Sequence, residues 1–133
     1  MTLTPTETTD DGPLELRAQR LIDAATSDRE LAAAQALVEE ETIISCQRVQ
    51  HALGLRDTLS GANVRWEGLA GQVYSLGLDD EQRTFLGLTL SMMGIGSVGL
   101  AAVANLDERR LAVMLRAIAR LAGNHTLAVG RRV

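Results

Sequence analysis

The sequence predicts an all-α protein, a helical bundle with one long helix near its N-terminus. Three observations support this. Only Trp66, Tyr74 and Phe85 are aromatic among 133 residues, so the core must come from Leu, Ala, Val, Ile and Met. Such side chains suit packed helices better than a β-sandwich. Helix-start signals recur along the chain, and the apolar residues between them return at helical spacing. The length fits one domain with an added helical arm.

Each element has its own justification. Residues 1–13 (MTLTPTETTDDGP) are polar and acidic and lack the basic and apolar regions of a signal peptide. They read as a disordered tail. Pro13 suits a first helical position, and Leu14, Leu16, Leu21 and Ile22 follow it, so a short helix should reach about Ala25. Ser27 with Glu30 three residues on matches a capping box. A long helix should run from there to Leu53 and stop at Gly54. Its 26 residues would span about 39 Å. Leu31, Ala34, Leu37, Val38, Val49, Ala52 and Leu53 share one face. Glu41, Thr42 and Ser45 interrupt that face, and Ile43 points away from it. A helix this long in so small a chain suggests pairing with a second copy, through Leu31, Leu37, Val38, Ile43, Ile44 and Val49.

Residues 55–62 read as a loop. Trp66, Leu69, Val73 and Leu76 then recur at helical spacing, and Gly77 stops that helix. Asp79 with Gln82 marks the next start. That helix continues through Phe85, Leu86, Leu90 and Met93 to Gly94-Ile95-Gly96. Ser97 can cap a short helix through Ala104, and Asn105 suits a left-handed turn after it. Asp107 caps the last helix, with Leu106 and Leu111 at staple positions. This helix should end near Ala122, followed by Gly123-Asn124, and residues 125–133 could form a short strand.

The formal net charge is -4, unevenly distributed. Residues 1–67 carry twelve acids and six Arg, whereas residues 68–133 carry five acids and seven Arg. All thirteen cations are Arg, a usage expected of a GC-rich bacterial source. Six of them follow Glu108, where no acid remains. That basic end could face an anionic partner, although the whole chain could not bind nucleic acid by bulk charge. Cys46 is the only cysteine, so no internal disulfide can form, and a reducing cytoplasm is the natural compartment.

Phe85 to Ala104 (FLGLTLSMMGIGSVGLAAVA) carry no charge. The run is long enough for a membrane span. Against a span stand four glycines, acids on both flanks and the absence of an aromatic belt. Gly94-x-Gly96-x-x-Gly99 matches a dinucleotide fingerprint. That fingerprint works only between a strand and a helix, and here a helical pattern precedes it. The third alternative is the buried middle of a three-helix core. No membrane contact and no cofactor is therefore expected.

The stretch LAAVANLDERRLAVMLRAIARLAG resembles the helix-turn-helix of winged-helix regulators. Ala101 matches the small mid-helix residue, Asn105 the turn residue, Leu106 the apolar position after it, and Leu111 and Met114 the recognition-helix core. LDDEQRTFLGLTL resembles the helix that precedes the motif, and HTLAVGRRV could stand for a reduced wing. The resemblance covers about residues 78–130 and implies a winged-helix-like module over 78–133, behind a helical arm over 14–77.

On the last helix, Leu111, Met114, Leu115, Ile118 and Leu121 cluster on one face. Arg109, Arg116 and Arg120 form a stripe opposite them, flanked by Ala112, Val113 and Ala117. A helix entering the major groove needs this arrangement. Arg110, Arg131 and Arg132 could add phosphate contacts. The bland alternative is a surface helix in a protein whose only cations are Arg. Asp107 and Glu108 stand where base contacts usually begin, and no Gln, Asn, Ser or Thr accompanies the arginines. Winged helices also serve as pure protein-interaction modules.

Other residues point to no chemistry. His51 belongs on an outer face and His125 in a terminal turn. With Cys46 they make no metal-ligand spacing. Glu39-Glu40-Glu41 lacks the Glu-x-x-His partner of a di-metal site. Glu39 and Glu40 are expected in solvent, while Glu41 is expected toward the apolar face, paired with an Arg. No nucleophile, base and orienting group can be assembled, so an enzyme is not expected. Two functions compete: a small regulator binding duplex DNA through the helix 107–122, and a helical adaptor or oligomeric scaffold that binds protein.

Overall fold

The computed structural model describes residues 14–55, 64–96 and 98–130, and all regular structure among them is helical. Six α-helices follow one another: α1 over 14–23, α2 (Asp28–Glu40), α3 (Gln47–Leu53), α4 (Trp66–Ala70), α5 (Asp80–Met92) and α6 (Glu108–Leu121). Two 3-10 helices, Val73–Ser75 and Leu100–Asn105, lie before and after α5. The expected tail 1–13, the loop 56–63, the Ser97 cap and the last three residues lie outside the described residues.

Local signals set most helix ends. The Ser27 hydroxyl accepts the Glu30 N–H at 3.1 Å and starts α2. Asp79 and Gln82 form a complete capping box, each side chain accepting the other's backbone N–H. Asp107 caps α6 by accepting the Arg110 N–H at 2.8 Å. Gly54, Gly77, Gly94 and Gly123 all have φ near +80°, which ends the helix or turn before each.

The long helix of 26 residues does not form, because the chain breaks after Glu40. Glu41 has φ 73° and ψ -43°, and the Thr42 N–H donates to the Glu40 carbonyl at 2.9 Å. This is a γ-turn of the positive-φ type, a strained conformation for a residue with a Cβ. The polar interruption at Glu41, Thr42 and Ser45 is what builds it. The Glu40 carboxylate turns back to accept the Ile43 N–H at 2.8 Å, and Ser45 Oγ donates to the Glu41 carbonyl at 2.7 Å. The break also accounts for the outlying Ile43. The turn re-aims both Ile43 and Ile44 into the core, where both are buried.

Helices α2, α5 and α6 pack on one another, most extensively α2 on α6. Their facing sides are rich in small residues: Ala33, Ala34 and Ala36 on α2, Val113 and Ala117 on α6. Small side chains let helix axes approach closely. Helix α3 packs on α4, which also touches α5. Leu21 fixes α1 to the same core, and Arg17 reaches across to donate to Gln50 Oε1 at 2.8 Å. One buried cluster runs from Leu21 to Ala117 and includes residues on both sides of Gly77.

The first part of the uncharged run is buried scaffold, whereas Val98 to Ala101 and Ala104 are exposed. Phe85, Leu86, Leu88 and Leu90 of α5 are buried, and the Thr89 hydroxyl is satisfied by the Phe85 carbonyl at 2.8 Å. Gly87 lets the next segment approach, since a Cβ there would lie 2.7 Å from Val98 Cγ2. No described helix is long and apolar enough to cross a membrane. Three expectations are corrected. Leu100–Asn105 is a 3-10 helix with no fully buried residue, because it lies on the rim of α5 and buries only parts of Ala102 and Val103. Asn105 does not take a left-handed turn, since Leu106 continues the chain in extended conformation. Residues 127–130 form no strand, having no described strand to pair with.

Candidate functional site

Helix α6 lies with its arginines toward α2 and much of its leucine-bearing side toward solvent. The physical reason is the pair of acids that end α2. A helix C-terminus disfavours carboxylates, and α2 has no basic residue in its last turn. The compensating charge comes from α6. The Glu40 side chain is fully buried and accepts from Arg110 Nε at 2.8 Å. Arg109 Nη2 donates to the Glu40 carbonyl at 3.0 Å and lies 3.5 Å from its carboxylate. The Thr42 hydroxyl also donates to Glu40, and in turn accepts from Gln82 Nε2 at 3.1 Å and Arg110 Nη2 at 3.3 Å. Asp107 lies 3.2 Å from Arg110 Nη1, and Glu81 lies 3.8 Å from it.

Glu39 holds the other half of the stripe. It accepts from Arg116 Nε at 3.1 Å and from Arg120 Nη2. Arg116 Nη1 continues to the Val129 carbonyl at 3.0 Å and so fastens the C-terminal segment along α6. Arg120 Nη1 is buried with no acceptor among the described residues. Two neighbouring glutamates thus bind four arginines spread over about 16 Å of helix. Burial disfavours the Arg110 cation, but the hydrogen bond and charge of Glu40, with Asp107 and Asp79, outweigh it. The guanidinium is held above its ordinary value and stays charged.

This geometry corrects several expectations. Glu40 is fully buried and Glu39 is only partly exposed, while Glu41 is exposed rather than paired. The cause is the helix phase, in which Ala33, Ala36, Leu37 and Glu40 share the buried face of α2. The arginines marked for nucleic acid, Arg109, Arg110, Arg116 and Arg120, are all engaged with α2, and Arg131 and Arg132 lie outside the described residues. Of the residues marked for pairing between copies, Leu37, Ile43, Ile44 and Val49 are buried within one chain. Val38 packs half-buried against the same core, and Leu31 is half-buried. The break at Glu41 turned that face into core.

The face left open is on α6. Leu115 is 43% exposed and Ile118 38%, beside half-exposed Leu111 and Ala119 and exposed Ala122. Glu108, at the N-terminal end, is the only charged residue on this side. Of the apolar cluster found on the helical wheel, Met114 is buried, Leu111 and Leu121 are half-buried, and Leu115 and Ile118 are exposed. A second open feature is a groove of about 720 Å³ beside α5, floored by Val73, Gly87, Leu90 and Val98. Tyr74 stands at its rim, 89% exposed, with the Arg83 guanidinium 5.6 Å from its ring centre. Sequence periodicity had no means of marking Tyr74, which falls on a 3-10 turn.

His51 and His125 are both exposed. Cys46 is half-buried at the start of α3, its Sγ 3.6 Å from the Leu76 carbonyl. Among the described residues, no group of three or more His, Cys, Asp or Glu could hold a metal ion. Comparison with known proteins assigns no family: no family model, no curated protein and no solved structure matches this chain.

Proposed function

We propose that this protein is a non-enzymatic helical interaction module that binds protein through the outer face of α6. One observation carries this reading: α6 turns its arginines to Glu39 and Glu40 and leaves Leu115 and Ile118 open to solvent. Exposed apolar residues contiguous on one helix face mark interaction sites more often than scattered ones do. The ion pairs that hold the other face keep the helix in that orientation.

A photo-crosslinking residue at position 115 tests the proposal in the cells that make the protein, with position 72 as the exposed polar control. Discrete protein adducts from 115 and none from 72 are expected. No adduct from either position would contradict the proposal. Contact with duplex DNA requires Arg109, Arg116 and Arg120 to leave their acids. Duplex binding at about 50 mM salt, lost in the triple Arg→Ala variant, would replace this reading with that one.

A further inference from the structure

We infer that the groove beside α5 binds a small aromatic amine, at a site separate from the outer face of α6. Three segments line the groove: α5, the stretch from Ala70 to Tyr74, and residues 95–105. Two contacts hold the last of these against α5. Val98 seats on Gly87, where any Cβ would meet its Cγ2 at 2.7 Å, and the Val98 N–H donates to Ser91 Oγ at 3.0 Å. Val73, Leu90, Ile95 and Ala102 make the interior apolar. The volume of about 720 Å³ falls within the range of small-molecule sites, about 300–1,000 Å³. Such sites join an apolar interior to a few polar groups that choose and orient the occupant.

Tyr74 and the start of α5 supply those polar groups. Tyr74 is 89% exposed although Arg83 lies over its ring at 5.6 Å, so the other ring face is open. An open aromatic face favours a second ring stacked offset against it. Among the described residues, the groove is lined by two acids, Asp80 and Glu81, against one cation, Arg83. Arg83 is committed to Asp80 and to the Leu78 carbonyl at 2.6 Å. Arg110 lies 3.8 Å from Glu81, but Glu40 and Asp107 hold it at 2.8 and 3.2 Å. The half-exposed Glu81 carboxylate therefore has no cation of its own. An ammonium supplies one, whereas an anionic ligand meets net repulsion. Apolar interior, open ring face and unmatched carboxylate together call for an aromatic ring that carries a cationic amine.

Tryptamine is the probe. Indole-3-propionate, with the same ring and the opposite charge, is its counterpart. Each is titrated to about 10 mM into the isotope-labelled full chain while backbone amide shifts are followed by NMR. Tryptamine should give saturable shifts around Val73, Leu90, Ile95 and Val98, with a Kd of about 1 mM. Indole-3-propionate should bind about tenfold more weakly. Tyr74→Ala and Glu81→Gln should each weaken tryptamine about three- to fivefold. Both residues are exposed, so the unfolding midpoint should stay as in the parent. Saturation by neither compound, or shifts centred away from the groove, would overturn the site. Equal or tighter binding of indole-3-propionate would overturn the choice of an amine. Unchanged tryptamine affinity in both variants would remove the roles given to Tyr74 and Glu81. Crosslinking from position 115 reads the other face, so failure here leaves the interaction reading standing.

Discussion

Helices α5 and α6 have similar lengths and the same kind of Asp cap, yet only α6 carries a charged side chain into the core. Helix α5 buries Phe85, Leu86, Leu88 and Leu90 and leaves Asp80 and Glu81 outside. Helix α6 buries Arg110 with Ala112, Val113, Met114 and Ala117, and leaves Leu115 and Ile118 outside. The difference lies in what each helix meets. The inward side of α5 meets the apolar faces of its neighbours. The inward side of α6 meets the alanine-rich face of α2 and, through Arg110, its acidic end. A buried carboxylate without a cation is costly enough to decide which side of a helix turns in.

The comparison can be tested by weakening each helix in turn. Phe85→Ala should cost about 3–5 kcal/mol, since a fully buried aromatic leaves a cavity. Glu40→Ala should cost as much, about 3–5 kcal/mol, by stranding Arg110 in the interior. Urea denaturation measures both. A cost under about 1 kcal/mol for Glu40→Ala would show that the ion pair does not orient α6. Replacing both partners, Glu40→Leu with Arg110→Leu, should recover stability to within about 2 kcal/mol of the parent.

Smaller effects sharpen the contrast between buried and half-exposed pairs. Glu39→Gln should cost less than about 1 kcal/mol, because Glu39, Arg116 and Arg120 are each about a third exposed. Raising salt to about 1 M should erase most of that difference while leaving the Glu40 effect. Glu41→Gly should raise stability by up to about 1 kcal/mol. It removes the Cβ from a φ of 73° and deletes an exposed side chain. A loss instead of a gain would mean that the γ-turn is not strained.

The elements were more legible in the sequence than their arrangement. Ser27, Asp79 and Asp107 each mark a true helix start, because a cap satisfies backbone donors within four residues of itself. Gly54 and Gly94 mark true stops for the same local reason, whereas the helix expected from Trp66 to Leu76 ends at Ala70 and only the 3-10 turn Val73–Ser75 precedes Gly77. The break at Glu41 carries neither Gly nor Pro, and its cause is a side chain returning to its own backbone, so helical periodicity ran through it. The orientation of α6 was illegible for a different reason. A helical wheel locates two faces but does not say which one turns inward. That choice depends on Glu39 and Glu40, about seventy to eighty residues away in sequence. Two signals did point there. Glu40 falls in phase with Ala33, Ala36 and Leu37, and the acid excess before residue 67 mirrors the Arg excess after Glu108.

The central claim is that the Glu40–Arg110 pair fixes α6 with Arg110 turned into the core. A double-mutant cycle of Glu40→Gln and Arg110→Gln on the free energy of unfolding tests it most directly. A coupling of about 2 kcal/mol is expected for a contact of 2.8 Å at a fully buried carboxylate. A coupling below about 0.3 kcal/mol, the value for independent sites, would contradict the account.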